Sequence, residues 1–319
     1  MNIMQKKIYL MLLAALALPL SSMSQEKSYS WNDLVDWNGI SFWYEYLIMS
    51  PGYFGPNALP VPELSSGLID TASSLDLRTD YYFAKGDQTI DLWGRYQHSF
   101  LKGKVSVFAD ITALEYYSIT DTMIRNERKL RSEFPKGFVI GDLSFGTRVQ
   151  ILKNKKHWPD IVLESVFRTA SGAHSGDGRY TDAPGYYFCI NGGKDFFKSQ
   201  HGMQFRYLFN AGFYAWQTNL RQYYQNDALL LAIGLEARKN NWYLRGSLNS
   251  YTGYIGRKEH LIMQYTTKFY YYDGDVPLVA RLEYGTTIHQ YKIYARYQMG
   301  LHDFPYQAVS LGVVTQFLN

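Results

Sequence analysis

One cysteine, Cys189, stands in the 319-residue chain. A lone thiol leaves no internal bridge, which excludes a disulfide scaffold. Beyond the opening stretch IYLMLLAALALPL, no apolar run reaches the ~20 residues of a membrane helix. No glycine-rich loop leads into a crossover helix, so no phosphate-binding fingerprint is present. The formal net charge is only +4, a balance that implies no nucleic-acid partner. Length alone allows one large domain or two ordinary ones.

What the chain has in plenty is aromatic residues. Tyr 29, Phe 18 and Trp 7 make it 17% aromatic, while the mean hydropathy is a mild -0.27. At the start, Lys6 and Lys7 precede the apolar stretch, and Ser22-Met23-Ser24 follows it before Gln25. A positive region, a short apolar region and a small-x-small site are the layout of a secretory signal peptide, so residues 1–24 are expected to be removed. No cysteine stands at the cleavage point, which argues against a lipoprotein anchor. An exported, tyrosine-rich chain without bridges or long apolar helices fits a membrane β-barrel.

Side-chain alternation supports this reading, because successive residues of a strand face opposite ways. In DLWGRYQHSF, Leu92, Gly94, Tyr96 and Phe100 share one face, and Asp91, Arg95, Gln97 and Ser99 the other. His98 is the exception on the apolar face. GDLSFGTRVQIL sets Leu143, Phe145, Val149 and Ile151 against Asp142, Ser144, Arg148 and Gln150, and the last segment aligns Val309, Leu311, Val313 and Phe317. Many such segments reach the ~9–11 residues that cross a bilayer when tilted. Aromatics gather at their ends, as interfacial girdles do. A strand left unpaired in lipid exposes backbone polar groups, so the sheet must close. The expected fold is all-β, a transmembrane antiparallel barrel of about twelve strands over residues 71–319, with ten to fourteen open. Leu261–Tyr272 or a strand near Ser41–Met49 bears on the count.

Residues 25–70 differ in character. SPGYFGPNALPVPELSSG holds four prolines, too many for a central strand. An N-terminal periplasmic cap, or a plug threading the barrel, is expected there.

Three stretches carry a family resemblance: GDLSFGTRVQIL (Gly141–Leu152), PDIVLESVFRTASG (Pro159–Gly172) and GDGRYTDAPGYYF (Gly176–Phe188). Together they resemble the outer-membrane transporter family associated with the meta-cleavage pathway of phenol degradation. Thr169-Ala170-Ser171-Gly172 stands where that family has Pro-Thr-Gly. The resemblance implies an outer-membrane barrel acting as a channel, and it names no solute.

The polar faces of the expected strands place Asp91, Arg95, Asp110, Asp142, Arg148, Glu164, Arg168, Arg206, Glu236, Arg238, Arg245, Arg281, Glu283 and Arg296 along the lumen. Rows such as Glu164/Arg168 and Arg281/Glu283 suggest ion-pair ladders. Charge rings of this kind tune selectivity in a pore, and they also fill a narrow barrel.

The stretch RTASGAHSGDGRYTDAPG raises two other chemistries. His174 and Ser175 are the residue types of a lipid hydrolase, but as neighbours in an extended strand they point to opposite faces. No third partner is identified by spacing, so an enzyme is not expected. Asp177 and Asp182 give too few oxygens for calcium without an EF-hand spacing. All four read as outer-loop residues, and no metal or cofactor is expected. Other outer loops are expected at Ser118–Lys136, Gln217–Asp227 and Tyr254–Asp275. The functional expectation is passive passage of a small solute through a polar lumen, with outer-membrane lipid as the surrounding partner. A structural or adhesive barrel displaying its loops is the alternative.

Overall fold

The computed structural model describes residues 38–40, 51–52, 54–120, 135–172, 178–181, 183–220, 223–252 and 276–317. Thirteen strands follow in order: β1 (Ser73–Ala84), β2 (Asp87–Phe100), β3 (Val105–Ile119), β4 (Lys136–Val139), β5 (Leu143–Leu152), β6 (Asp160–Arg168), β7 (Gly185–Lys198), β8 (Gln204–Leu220), β9 (Tyr223–Lys239), β10 (Trp242–Thr252), β11 (Leu278–Ile288), β12 (Tyr291–His302) and β13 (Gln307–Phe317). Each barrel strand pairs antiparallel with its neighbours in the chain. The last pairs with the first, from Ser73 opposite Phe317 to Phe83 opposite Gln307. The sheet is therefore closed. β4 and β5 lie end to end along β3, which leaves twelve strands around the circumference.

Residues 1–24 and both candidate extra strands, Leu261–Tyr272 and Ser41–Met49, lie outside the described residues. Two details differ from expectation. The alternating stretch Gly141–Leu152 becomes strand only from Leu143, and β4 is parted from it at Ile140-Gly141-Asp142, where Gly141 N donates to Thr112 O and Asp142 turns to the β6–β7 loop. Gln217–Asp227 is not a loop, because β8 and β9 continue their pairing through it. Past the apolar belt neither face of a strand needs to be apolar, so alternation gives no signal there.

The alternation read from sequence sorts as expected. Outward stand Ile90, Leu92, Tyr96 and Phe100 of β2, and Leu229, Leu231, Ile233 and Leu235 of β9. Such a continuous apolar belt is far beyond what a water-facing surface carries; its natural solvent is hydrocarbon. Inward stand Asp91, Ser99, Glu115, Glu164, Arg206 and Glu236, all buried. His98, on the outward face, is held by Ser73 Oγ at 2.8 Å and lies between the rings of Tyr96 and Phe100.

The two ends of the barrel differ. One end carries the turns at 101–104, 153–159, 199–203, 240–241 and 289–290, together with Ser73 and Phe317. Asn240 and His289 take left-handed φ values of 52° and 57° there, which lets two-residue turns follow the twist of the strands. The other end carries the longer connections at 120–135, 169–184 and 253–277.

Candidate functional site

Residues 54–71 run inside the barrel from the long-loop end to the short-turn end. At the first, Phe54 O accepts from Tyr306 Oη and Gly55 N donates to Gly178 O. Lower down, Leu59 O accepts from Tyr251 Oη, and Val61 O and Pro62 O accept from Arg281 at 2.7 and 3.1 Å. Ser66 O accepts from Arg206, Gly67 O from Gln150, and Ile69 O from Lys153 Nζ at the short turns. Prolines and extended backbone leave these carbonyls without partners of their own, and buried carbonyls need them. The barrel wall supplies arginines, whose charged donors make the stronger bonds.

The segment leans on one wall. Phe54, Ala58, Leu59 and Val61 pack with Trp216, Leu230 and Tyr251, and Leu64 with Leu208 and Ala232. Glycines make the approach possible: a Cβ at Gly193 would stand 2.8 Å from Ser66 O, and one at Gly234 2.8 Å from a Leu64 methyl.

Beside the segment the interior keeps a cavity of about 410 Å³, bounded by the segment itself and by β1–β3, β5–β8 and β10–β13. Eight basic and eight acidic side chains line it, so its charge is balanced overall. Guanidinium groups and rings alternate across its wall. Arg78 lies 4.3 Å and Arg95 5.2 Å from the Trp93 ring; Arg95 lies 4.5 Å and Arg148 5.0 Å from the Phe108 ring. Each arginine also has its acid: Arg78 with Asp80 and Glu63, Arg95 with Asp110, and Arg148 with Glu164.

Most of the ion pairs cross between strands; Arg78–Asp80 on β1 and the longer Arg238–Glu236 on β9 run along one. Glu164 bonds Arg148, its register partner on β5, and Glu283 bonds Arg296, its partner on β12. The expected pairs Glu164/Arg168 and Arg281/Glu283 are not made. Directly opposed side chains sit ~4.5–5.5 Å apart, closer than two inward residues of one strand. Arg245–Glu236 and Arg95–Asp110 obey the same rule.

The remaining sequence candidates fall as follows. Asp91 accepts from Asn57 Nδ2 at 2.5 Å. Arg168 donates to Ala58 O and stands 3.7 Å from Asp142. Arg206 binds Asp160, and Arg238 binds Asp195, both near the short turns. Among the described residues Arg281 has no carboxylate partner and is taken up by the internal segment and Gln298. His174, Ser175, Asp177 and Asp182 lie outside the described residues.

Sequence reasoning missed the most buried cluster. Arg179, on the β6–β7 loop, is fully buried and bonds Glu115 at 2.6 Å, Asp87 at 2.8 Å and the Thr89 hydroxyl. Tyr180 donates to Glu115, Tyr306 donates to Asp87, and Asn57 bridges Asp91 and Glu115. The hub joins loop, internal segment and wall at the long-loop end of the cavity. It was hidden because its arginine sits in a loop, where alternation says nothing. Glu63 was also missed, the one acid of the internal segment that reaches two arginines, Arg296 at 2.7 Å and Arg78 at 2.9 Å. Burial would raise its carboxyl, but the Arg296, Arg78 and Arg281 guanidiniums outweigh that and hold it well below the ordinary carboxylate range.

These features define a closed antiparallel barrel of the outer-membrane type with an internal segment. No family model matches the chain, and no curated protein matches it. Among solved structures, an outer-membrane channel from Pseudomonas putida F1 is similar with a TM-score of 0.52 at 10% identity, covering 83% of this chain and 98% of that one. The β domain of the Bordetella autotransporter BrkA follows with 0.44 at 12% identity, covering 77% and 99%. The first likeness shows the fold shared, and neither assigns a cargo.

Proposed function

We propose that the chain is an outer-membrane channel that lets a small polar solute pass along the cavity beside its internal segment. The observation that carries this reading is the charge-lined void running between segment and wall. A barrel whose interior served only as filler would have no reason to keep it. At about 410 Å³ the void is in the size range of small-molecule pockets. The similar fold of a channel supports the reading, as does the resemblance of Gly141–Phe188 to an outer-membrane transporter family. The apolar belt and the expected signal peptide support an outer-membrane location.

Purified full-length protein in planar bilayers tests this directly. Single-channel steps are expected, and steps of larger amplitude in Arg179→Ala, which frees the long-loop end. Absence of conductance in both, with the barrel folded, overturns the reading.

A further inference from the structure

We propose that the short-turn end of the barrel, from the β2–β3 turn round to the β9–β10 turn, docks the head groups of anionic phospholipids. The proposal holds whether or not the interior conducts. Lysines gather at four neighbouring turns there: Lys102 and Lys104, then Lys153, Lys155 and Lys156, then Lys194 and Lys198 on β7 ahead of the next turn, then Lys239 at the end of β9. Lys102, Lys155, Lys156 and Lys198 are exposed. None of the eight is paired with a carboxylate among the described residues. Two of the acids close by are already taken: Asp160 by Arg206 at 2.7 Å, and Asp195 by Arg238 at 2.6 Å and Arg206 at 3.4 Å.

Depth identifies the partner. Three of the four groups lie within a residue or two of the last outward apolar side chains: Phe100 and Leu101 before Lys102, Ile151 before Lys153, and Phe196 and Phe197 before Lys198. A bulge between Asp195 and Phe197 departs from strict alternation, and Phe196 and Phe197 are 58% and 55% exposed. Their rings pack with Phe205, and Phe196 also with Tyr207. Trp158, 67% exposed, stands beside Lys156, whose carbonyl accepts from Lys194 Nζ at 2.7 Å. Rings at the edge of an apolar belt sit at the bilayer interface. Lysines just past them lie where lipid phosphates lie, and their stems reach along the apolar surface. Continuity with the belt commits the surface to lipid rather than to a soluble anion, because clustered cations at this depth meet a fixed plane of negative charge.

The test is native mass spectrometry of the full chain with equimolar phosphatidylglycerol and phosphatidylcholine, alongside thermal unfolding in each lipid. Phosphatidylglycerol is expected to be retained several-fold more often and to raise the unfolding temperature. The quadruple variant Lys102→Gln, Lys155→Gln, Lys156→Gln, Lys198→Gln should bring retention near parity, the matching Lys→Arg variant should keep the preference, and Lys85→Gln at the other end should leave it unchanged. Equal retention in the wild type, a preference that survives the quadruple glutamine variant, or stabilisation by inorganic phosphate equal to that by phosphatidylglycerol overturns the proposal.

Discussion

At the scale of the residue, flat rings over glycines shape the interior wall. Phe108 faces Gly146 across β3 and β5, Tyr243 faces Gly285, and Tyr294 faces Gly312, each a register pair. A Cβ at these glycines would stand only 2.1–2.3 Å from the ring, so a side chain there must lift the ring off the wall. At Gly146 the lifted ring is the one that Arg95 and Arg148 stack on. Gly146→Val is therefore expected to cost ~1–3 kcal/mol by overpacking. It should also change conductance, which Gly246→Ala, with open space around its Cβ position, should not. Urea unfolding and bilayer recording check the pair.

Glu63 gives the residue-scale pH dependence. Its folded carboxyl is depressed by the Arg296, Arg78 and Arg281 charges against the opposing effect of burial. A depressed acid adds stability that is complete above its unfolded value, ~4.3, and is lost as pH falls through the lower folded value. The internal segment should thus stay docked at neutral pH and loosen only under strong acid. Glu63→Gln should remove that acid dependence, read by limited proteolysis of residues 54–71 across a pH series. Equal protection in both proteins at every pH would refute the assignment.

At the scale of the element, the Arg179 hub makes the sharpest prediction. Removing the guanidinium leaves Asp87 and Glu115 buried without their cation, which typically costs ~3–5 kcal/mol. Arg179→Ala is expected to unfold at lower urea, and Arg179→Lys to recover only part of the loss, since an ammonium cannot repeat the fork of bonds to two acids and a hydroxyl. Recovery to full stability by lysine would mean that charge alone matters.

The strands themselves were legible in the sequence, because a belt with lipid outside and polar groups inside forces strict alternation. β2 and β13 could be read residue by residue. The inward charges could be found by parity, but their partners could not, since register between strands decides them: Glu164 looks to Arg148, not to Arg168. The internal segment announced itself through its prolines, yet where its carbonyls bond was invisible, as was Arg179, which lies in a loop without period. Where polar strand residues extend past the belt, as in β8 and β9, no alternation exists to be read.

At the scale of the molecule, the balance of eight basic and eight acidic cavity side chains makes a selectivity statement. A path with no net charge should discriminate little between small anions and cations, so the reversal potential in a potassium chloride gradient is expected near zero. Arg281→Gln, which removes a cation lacking a carboxylate partner among the described residues, should shift it towards cation selectivity. A strong preference of either sign in the wild type would count against the cavity as the path.

The position of residues 54–71 also sets an order of assembly. The segment meets β1 at the short turns, while its far end lies at the long loops under the Arg179 hub. A ring already shut would have to be threaded along its whole length. If the edge of β1 stays open to β13 until the segment is laid in place, no threading is needed, and the seam from Ser73–Phe317 to Phe83–Gln307 closes last. The two seam strands, β1 and β13, then work as a clasp fastened around the internal segment.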